Sequence, residues 1–212
     1  MTRGDVFVIS APSGSGKTTI CRALLQRLSG LVLSVSYTTR ERRPGETDGK
    51  DYHFVDEQKF DIMLDSKEFL ESAHVYGRKY GTSRAAVESI VSQGLDAVLE
   101  LDVQGGRSVK AAIPDAVLVG VLPPDWETLR GRLYARGRDS REEMERRLTE
   151  ARRELSALKE YDFLVVNDDL ETAVRRVEWI VRARRLRRER SAAAIDRILG
   201  ETGEGRNGPS NG

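Results

Sequence analysis

The chain has 212 residues, 39% of them hydrophobic and 33% charged, and a formal net charge of +1. Such a content fits one globular unit around a substantial core rather than a disordered chain, and the charge balance argues against non-specific nucleic-acid binding. The single cysteine, Cys21, forbids an internal disulfide, and neither a membrane-spanning apolar run nor a secretory leader is present, so a cytoplasmic protein without membrane or nucleic-acid partners is expected.

In chain order, the apolar run Val6–Ile9 reads as a buried strand and is followed by Ala11-Pro12-Ser13-Gly14-Ser15-Gly16-Lys17-Thr18. This is a relaxed P-loop, with Ala11 where the first glycine usually stands. Its backbone N–H groups and the start of the next helix suit a polyphosphate, Lys17 can reach the β and γ phosphates, and the Thr18 hydroxyl can hold Mg²⁺. A helix is expected over Thr18–Leu28, with Ile20, Leu24 and Leu28 on one face and Cys21 as a small buried residue. Further short apolar runs at Leu31–Val35, Ala97–Leu101, Val117–Leu122 and Phe163–Val166 complete five candidate strands. Between them lie helical patterns at Arg84–Gln93, capped by Ser83 and stopped by Gly94, and at Trp126–Arg136. Ser140 with Glu143 makes a capping box, after which Met144, Leu148, Ala151, Leu155 and Leu158 mark a buried stripe. A last helix is expected from Asp169 toward Arg190, its arginines at 182, 184, 185, 187, 188 and 190 solvated. Gln104-Gly105-Gly106 reads as a tight turn before another helix.

The alternation predicts an α/β fold: a five-stranded parallel sheet with a P-loop and helices on both faces. Two stretches interrupt it, and open α/β sheets bind ligands at the strands' carboxyl ends, where such insertions belong. The expected division is a core of residues 1–33, 84–124 and 156–199, insertions at 34–83 and 125–155, and a disordered tail at 200–212.

Ser36-Tyr37-Thr38-Thr39-Arg40-Glu41-Arg42-Arg43-Pro44-Gly45-Glu46, Gly49-Lys50-Asp51-Tyr52, Glu71, Tyr80-Gly81-Thr82-Ser83, Asp102-Val103-Gln104-Gly105 and Val166-Asn167-Asp168-Asp169 follow one another along the chain. In order and spacing, this set resembles the guanylate kinases of the bacterial type. The resemblance implies a nucleoside monophosphate kinase that uses ATP and Mg²⁺ to convert GMP, with dGMP as a further acceptor, to the diphosphate. It makes residues 34–83 the GMP-binding insertion and 125–155 the lid. It implies that Arg40, Arg43, Tyr52 and Tyr80 take the GMP phosphate while Ser36, Glu71, Thr82 and Asp102 hold guanine, an allocation that suits guanidinium forks for a phosphate and a carboxylate for guanine's N–H donors. It also implies that Ala11–Thr18 and Asn167 bind ATP, that Asp102 joins Thr18 at the metal, directly or through water, and that Arg132, Arg136 and Arg147 act with Lys17 in catalysis. Arg138 is a weaker lid candidate. Glu100 departs from the aspartate usual in the family. Related folds also serve as peptide-binding modules, but here Lys17, Thr18 and the lid arginines are all retained.

Overall fold

The computed structural model describes residues 2–75, 77–135 and 141–200. The chain begins with β1 (Val6–Ser10), α1 (Lys17–Arg27) and β2 (Leu31–Leu33), then passes through β3 (Tyr37–Thr38), β4 (His53–Phe54), α2 (Glu57–Asp65), β5 (Phe69–Val75) and β6 (Arg78–Ser83). It continues with α3 (Arg84–Ser92), β7 (Asp96–Leu101), α4 (Val103–Ala112), β8 (Val117–Leu122), α5 (Trp126–Ala135) and α6 (Arg141–Ala157). A 3₁₀ turn at Leu158–Glu160 leads to β9 (Phe163–Val166), α7 (Leu170–Arg185) and α8 (Arg188–Leu199).

Five strands form one parallel sheet in the order β2-β7-β1-β8-β9. β1 is apolar at successive positions because both of its faces are covered. Phe7 and Ile9 join Ile20 and Leu24 of α1 and Val177 of α7, while Val6 and Val8 join Val87 and Val91 of α3 and Val109 of α4. Cys21 is buried in the first of these layers, and burial pushes its thiol well up, away from reactivity. The five strands and helices on both faces are as the apolar runs predict. β2 ends two residues early, at Leu33, where Ser34 follows.

The stretch between β2 and α3 carries a second, four-stranded sheet in the order β4-β3-β6-β5. Its own small core stacks Phe60 of α2 on Phe69 of β5, with ring centroids 4.6 Å apart. A Cβ on Gly81 would stand 2.8 Å from the Phe69 ring, so glycine lets that ring seat on the hairpin. Helices α5 and α6 pack through Leu129, Leu133, Met144 and Ala151, and the Arg152 guanidinium lies 4.1 Å from the centre of the Trp126 ring.

Two expectations are overturned. The Gln104-Gly105-Gly106 segment is not a turn before a helix but the first turn of α4 itself, which Asp102 caps by accepting from the Gly105 N–H at 2.7 Å. The glycines serve close approach: a Cβ on Gly106 would lie 2.1 Å from the Tyr161 hydroxyl. Nor does one helix run from Asp169 to Arg190. The helix stops at Arg185 and restarts at Arg188, and three of its supposedly solvated arginines turn onto the amino-terminal edge of the sheet. Asp96, 1% exposed, accepts from Arg185 at 2.7 Å and Arg190 at 2.5 Å, and Asp5 accepts from Arg184 at 2.8 Å and Arg190 at 2.9 Å. Asp96 also accepts from the Asp5 backbone N–H. A straight helix would carry Arg190 away from the two carboxylates it bridges. The expected tail falls, from residue 201 on, outside the described residues, as do Arg136, Arg138 and the capping Ser140.

Removing one member of a buried charge network strands the others. Asp96→Ala is therefore expected to lower stability by about 3 kcal/mol, read as a lower urea midpoint at unchanged slope, whereas truncating Arg3, whose partner Glu88 is also exposed, is expected to change it by less than about 1 kcal/mol.

Candidate active site

At the carboxyl edge of the main sheet, the turn from β1 into α1 forms an open cradle. Gly14 and Gly16 have φ of +91° and +89°, the left-handed region that favours glycine. Three other elements fix this turn: Asn167, just after β9, donates to the Ser15 carbonyl at 2.8 Å; Arg132 of α5 approaches the Gly14 carbonyl at 3.4 Å; and Lys17 donates to the Leu101 carbonyl of β7 at 2.7 Å. Asn167 also sets a steric limit, since a Cβ on Gly16 would lie 2.4 Å from its amide nitrogen. Helix α1 has no capping side-chain bond and no acidic residue in its first turn, so its amino end offers N–H groups and positive potential to an incoming anion. The Thr18 hydroxyl donates to the Glu100 carboxylate.

A cavity of about 580 Å³ opens over this cradle. Ala11–Gly14 and Gly16–Thr18 form its floor, while Arg146, Arg147, Glu150 and Glu154 of α6 and His74 and Val75 of β5 form its walls. Ser15 is fully buried beneath it. Arg132 and Asn167 face a different opening of about 240 Å³ on the other flank of the turn, with Gly14 and Gly16 between the two.

A second cavity, of about 180 Å³, lies between the two sheets and is lined by Ser36, Tyr52, Glu71, Tyr80, Glu100 and Asp102. Lys17, Asp102, Ala73 and Val75 line both this cavity and the first, so the two meet there. The β5–β6 register sets Glu71 opposite Thr82, after a bulge that follows Phe69. The Thr82 hydroxyl donates to the Glu71 carboxylate at 2.7 Å and stands 3.5 Å from the Ser36 hydroxyl. Glu71 is only 6% exposed. Burial pushes its carboxyl up to about 7, against the opposing bond from Thr82 and with the Asp102 charge adding to the rise. Gly105 is the backing plate: a Cβ there would stand 2.9 Å from Glu71 Oε2.

Beyond Glu71, the rings of Tyr52 and Tyr80 meet edge to face at 5.9 Å, and the Arg40 guanidinium lies 5.4 Å from the centre of the Tyr52 ring. Glu46 holds this cluster, accepting from the Arg40 side chain at 2.7 Å and from the Arg43 backbone N–H at 2.8 Å. Arg40 thereby keeps its orientation, while the Arg43 side chain is exposed. Ser36, Glu71, Thr82, Asp102, Tyr52 and Tyr80 thus gather in or beside one cavity, with Arg40 against its Tyr52 wall. Asp102 spends one oxygen as a helix cap, and it is Glu100 that touches Thr18. Reading the residues alone missed Glu46, Arg146, Glu150 and Glu154. The last three recur with Arg147 at helical spacing around the small Ala151, a pattern that marks them as one face.

A glycine-rich turn at the carboxyl edge of a parallel sheet, with two adjoining cavities that share Lys17 and Asp102, defines a P-loop protein. The Guanylate kinase family model matches residues 3–184. A guanylate kinase of Nitrosococcus oceani is 46% identical over 198 residues, covering 93% of this chain and 98% of that one. One from Neisseria gonorrhoeae is 46% identical over 93% of this chain and 96% of that one. The crystal structure of guanylate kinase from Anaplasma phagocytophilum superposes with a TM-score of 0.77 at 31% identity, over 96% of this chain and 98% of that chain. The chain belongs to the guanylate kinase family. Among the described residues no helix is long and apolar enough to cross a membrane.

The Glu71 shift has a consequence for stability. A carboxyl whose folded pKa is raised from 4.5 to about 7 favours the fold while protonated and loses that advantage as pH climbs between those values. Glu71→Gln is expected to raise the melting temperature of the empty protein at pH 8 relative to wild type, with the gap shrinking as pH falls toward 5; calorimetry across this range measures it.

Proposed function

We infer that the chain is an ATP-dependent kinase that phosphorylates GMP to GDP, and we propose that the transfer is direct and in line. The observation that carries the mechanism is the meeting of two cavities at Lys17 and Asp102. The P-loop cavity suits the phosphates of ATP: its N–H groups and Lys17 would surround the β and γ phosphates, and Arg147 would face them from the lid. Asn167 and Arg132, on the other flank of the turn, would meet the rest of ATP while holding the turn in shape. The smaller cavity suits GMP, with Glu71 accepting from guanine's N1–H and amino group and the Ser36 hydroxyl donating to O6. Its phosphate would extend toward Tyr52, Tyr80 and the pre-oriented Arg40, with Arg43 closing from the exposed side.

The GMP phosphate oxygen is ionised near neutral pH and is itself the nucleophile, so no residue needs to act as a general base. The protein's work is to hold two anions in line against their repulsion and to keep water from the γ phosphate. Lys17 and Arg147, which line the same cavity, would offset that repulsion, and Arg136 joins them in this reading. The Thr18 hydroxyl and Glu100 carboxylate, already in contact beside the P-loop, are the hard oxygen donors that fit Mg²⁺, and Asp102, which lines the smaller cavity together with Glu100, is the further carboxylate that would act directly or through water. Once bound there, the ion would supply charge neutralisation at the β and γ phosphates.

A coupled ADP-release assay over a panel of nucleoside monophosphates tests this reading. GMP is expected to be favoured over AMP by about 10⁴-fold, because adenine strands the Glu71 carboxylate without its N1–H partner and sets an amine against Ser36. Glu71→Gln should erode that ratio and leave ATP affinity largely intact; equal use of AMP and GMP by the wild type would refute the guanine assignment. Arg40→Ala is expected to weaken GMP binding by about 1.5–3 kcal/mol and to leave binding of a non-hydrolysable ATP analogue nearly unchanged, as separate titrations would record.

A further inference from the structure

Two buried hydroxyls stand behind Asp102, one of the residues at which the two cavities meet. Tyr161 is the first residue after the 3₁₀ turn that follows α6, and Ser10 is the last residue of β1, just before the P-loop. Tyr161 is 8% exposed and Ser10 0%. The Tyr161 hydroxyl donates to Ser10 Oγ at 2.9 Å, and the Ser10 hydroxyl donates onward to the Asp102 carbonyl at 3.1 Å. Each hydroxyl has one proton to give, so the phenol's donation fills an acceptor site on Ser10 and leaves the Ser10 proton committed to Asp102. Burial pushes the phenol up to about 12, against the bond to Ser10, which keeps it a donor at neutral pH. Glycine at position 106 admits this hydroxyl, since a Cβ there would stand 2.1 Å from it.

The pairing of β1 with β7 ends at Ser10 opposite Leu101, and the Ser10 hydroxyl carries the hold one residue further. Asp102 accepts two other bonds, its carboxylate from the Gly105 N–H at 2.7 Å and its carbonyl from the Gly106 N–H at 3.0 Å. Both belong to α4, so they fix Asp102 against its own helix, whereas the Ser10 bond ties it to β1. The P-loop turn is held differently, by bonds from Asn167, Arg132 and Lys17 that do not pass through Ser10. Neither Tyr161 nor Ser10 lines either cavity.

We propose that Tyr161 is a positioning residue for the acceptor site: acting through Ser10, it sets the peptide of Asp102 and so holds the Asp102 carboxylate where guanine is bound. The chain reaches the acceptor cavity from behind and leaves the P-loop to its own bonds, so cutting it weakens GMP and spares ATP. This inference rests on the assignment of the smaller cavity to GMP and of Asp102 to guanine.

Calorimetric titration of the whole chain with GMP and, separately, with AMP-PNP tests it, using wild type, Tyr161→Phe, Ser10→Ala, the double variant, and Asp102→Asn, which keeps a helix-capping oxygen. Tyr161→Phe, which removes one oxygen and keeps the ring, is expected to weaken GMP about fivefold and Ser10→Ala about tenfold, the scale of one buried hydrogen bond, with AMP-PNP changed by less than about twofold. Because both act through one chain, the double variant should match Ser10→Ala within about twofold, whereas independent sites would multiply to roughly fiftyfold. A merely structural role would weaken both nucleotides together or lower only the melting temperature. Parallel losses, a multiplied loss in the double variant, or unchanged GMP affinity in folded Tyr161→Phe while Asp102→Asn weakens GMP overturn this inference alone. Unchanged GMP affinity in Asp102→Asn, or failure of the wild type to bind GMP, overturns the guanine assignment and the inference with it.

Discussion

The left-handed turn between β1 and α1 is the constraint on which the rest of this molecule depends. It points backbone N–H groups outward instead of into a ladder, which only two glycines and a set of external bonds make tolerable. Those bonds come from opposite sides of the sheet: Asn167 after β9, Arg132 on α5 and the Leu101 carbonyl at the end of β7. β7 and the residue after β9 therefore both contribute to its shape, and the order β2-β7-β1-β8-β9 keeps β7 next to β1, where Glu100 can meet Thr18. The sheet is the ruler against which the phosphates would be placed.

Charge is handled in opposite ways at the two edges of that sheet. At the amino-terminal edge, Asp5 and Asp96 are met by three arginines with short bonds, and the result is structural: the network ties α7 and α8 to the strand starts. At the carboxyl edge, Glu71 and Glu154 are both pushed up to about 7 because burial outweighs what their neighbours return. Groups held in an unfavourable charge state near neutrality are those that an incoming ligand can most change. Guanine's N–H donors would favour the ionised form of Glu71.

The frame was legible in the sequence because local patterns determine it. Short apolar runs flanked by helical periods marked all five strands, and Gly14, Gly16, Lys17 and Thr18 marked the cradle. Residues separated along the chain, such as Ser36, Glu71 and Thr82, were grouped only by resemblance to a family, since nothing in their spacing reports that β5 and β6 pair across a bulge. What stayed hidden depends on distant partners. The break between α7 and α8 follows from where Asp5 and Asp96 lie, Gly105 and Gly106 from the approach of Glu71 and Tyr161, and the Arg40 orientation from Glu46. Glu154 sat inside an Arg- and Glu-rich helix whose pattern looks like solvated pairing, and only the fold brings it to the wall of the P-loop cavity.

Direct transfer between two anions held at a shared wall is the central claim, and the stereochemical course at phosphorus tests it most directly. With ATP made chiral at the γ phosphorus by oxygen isotopes and GMP as acceptor, a single in-line displacement at the junction of the two cavities predicts inversion of configuration in the phosphoryl group carried to GDP. Retention would require two displacements, and hence a covalent phosphoenzyme, and would contradict the account.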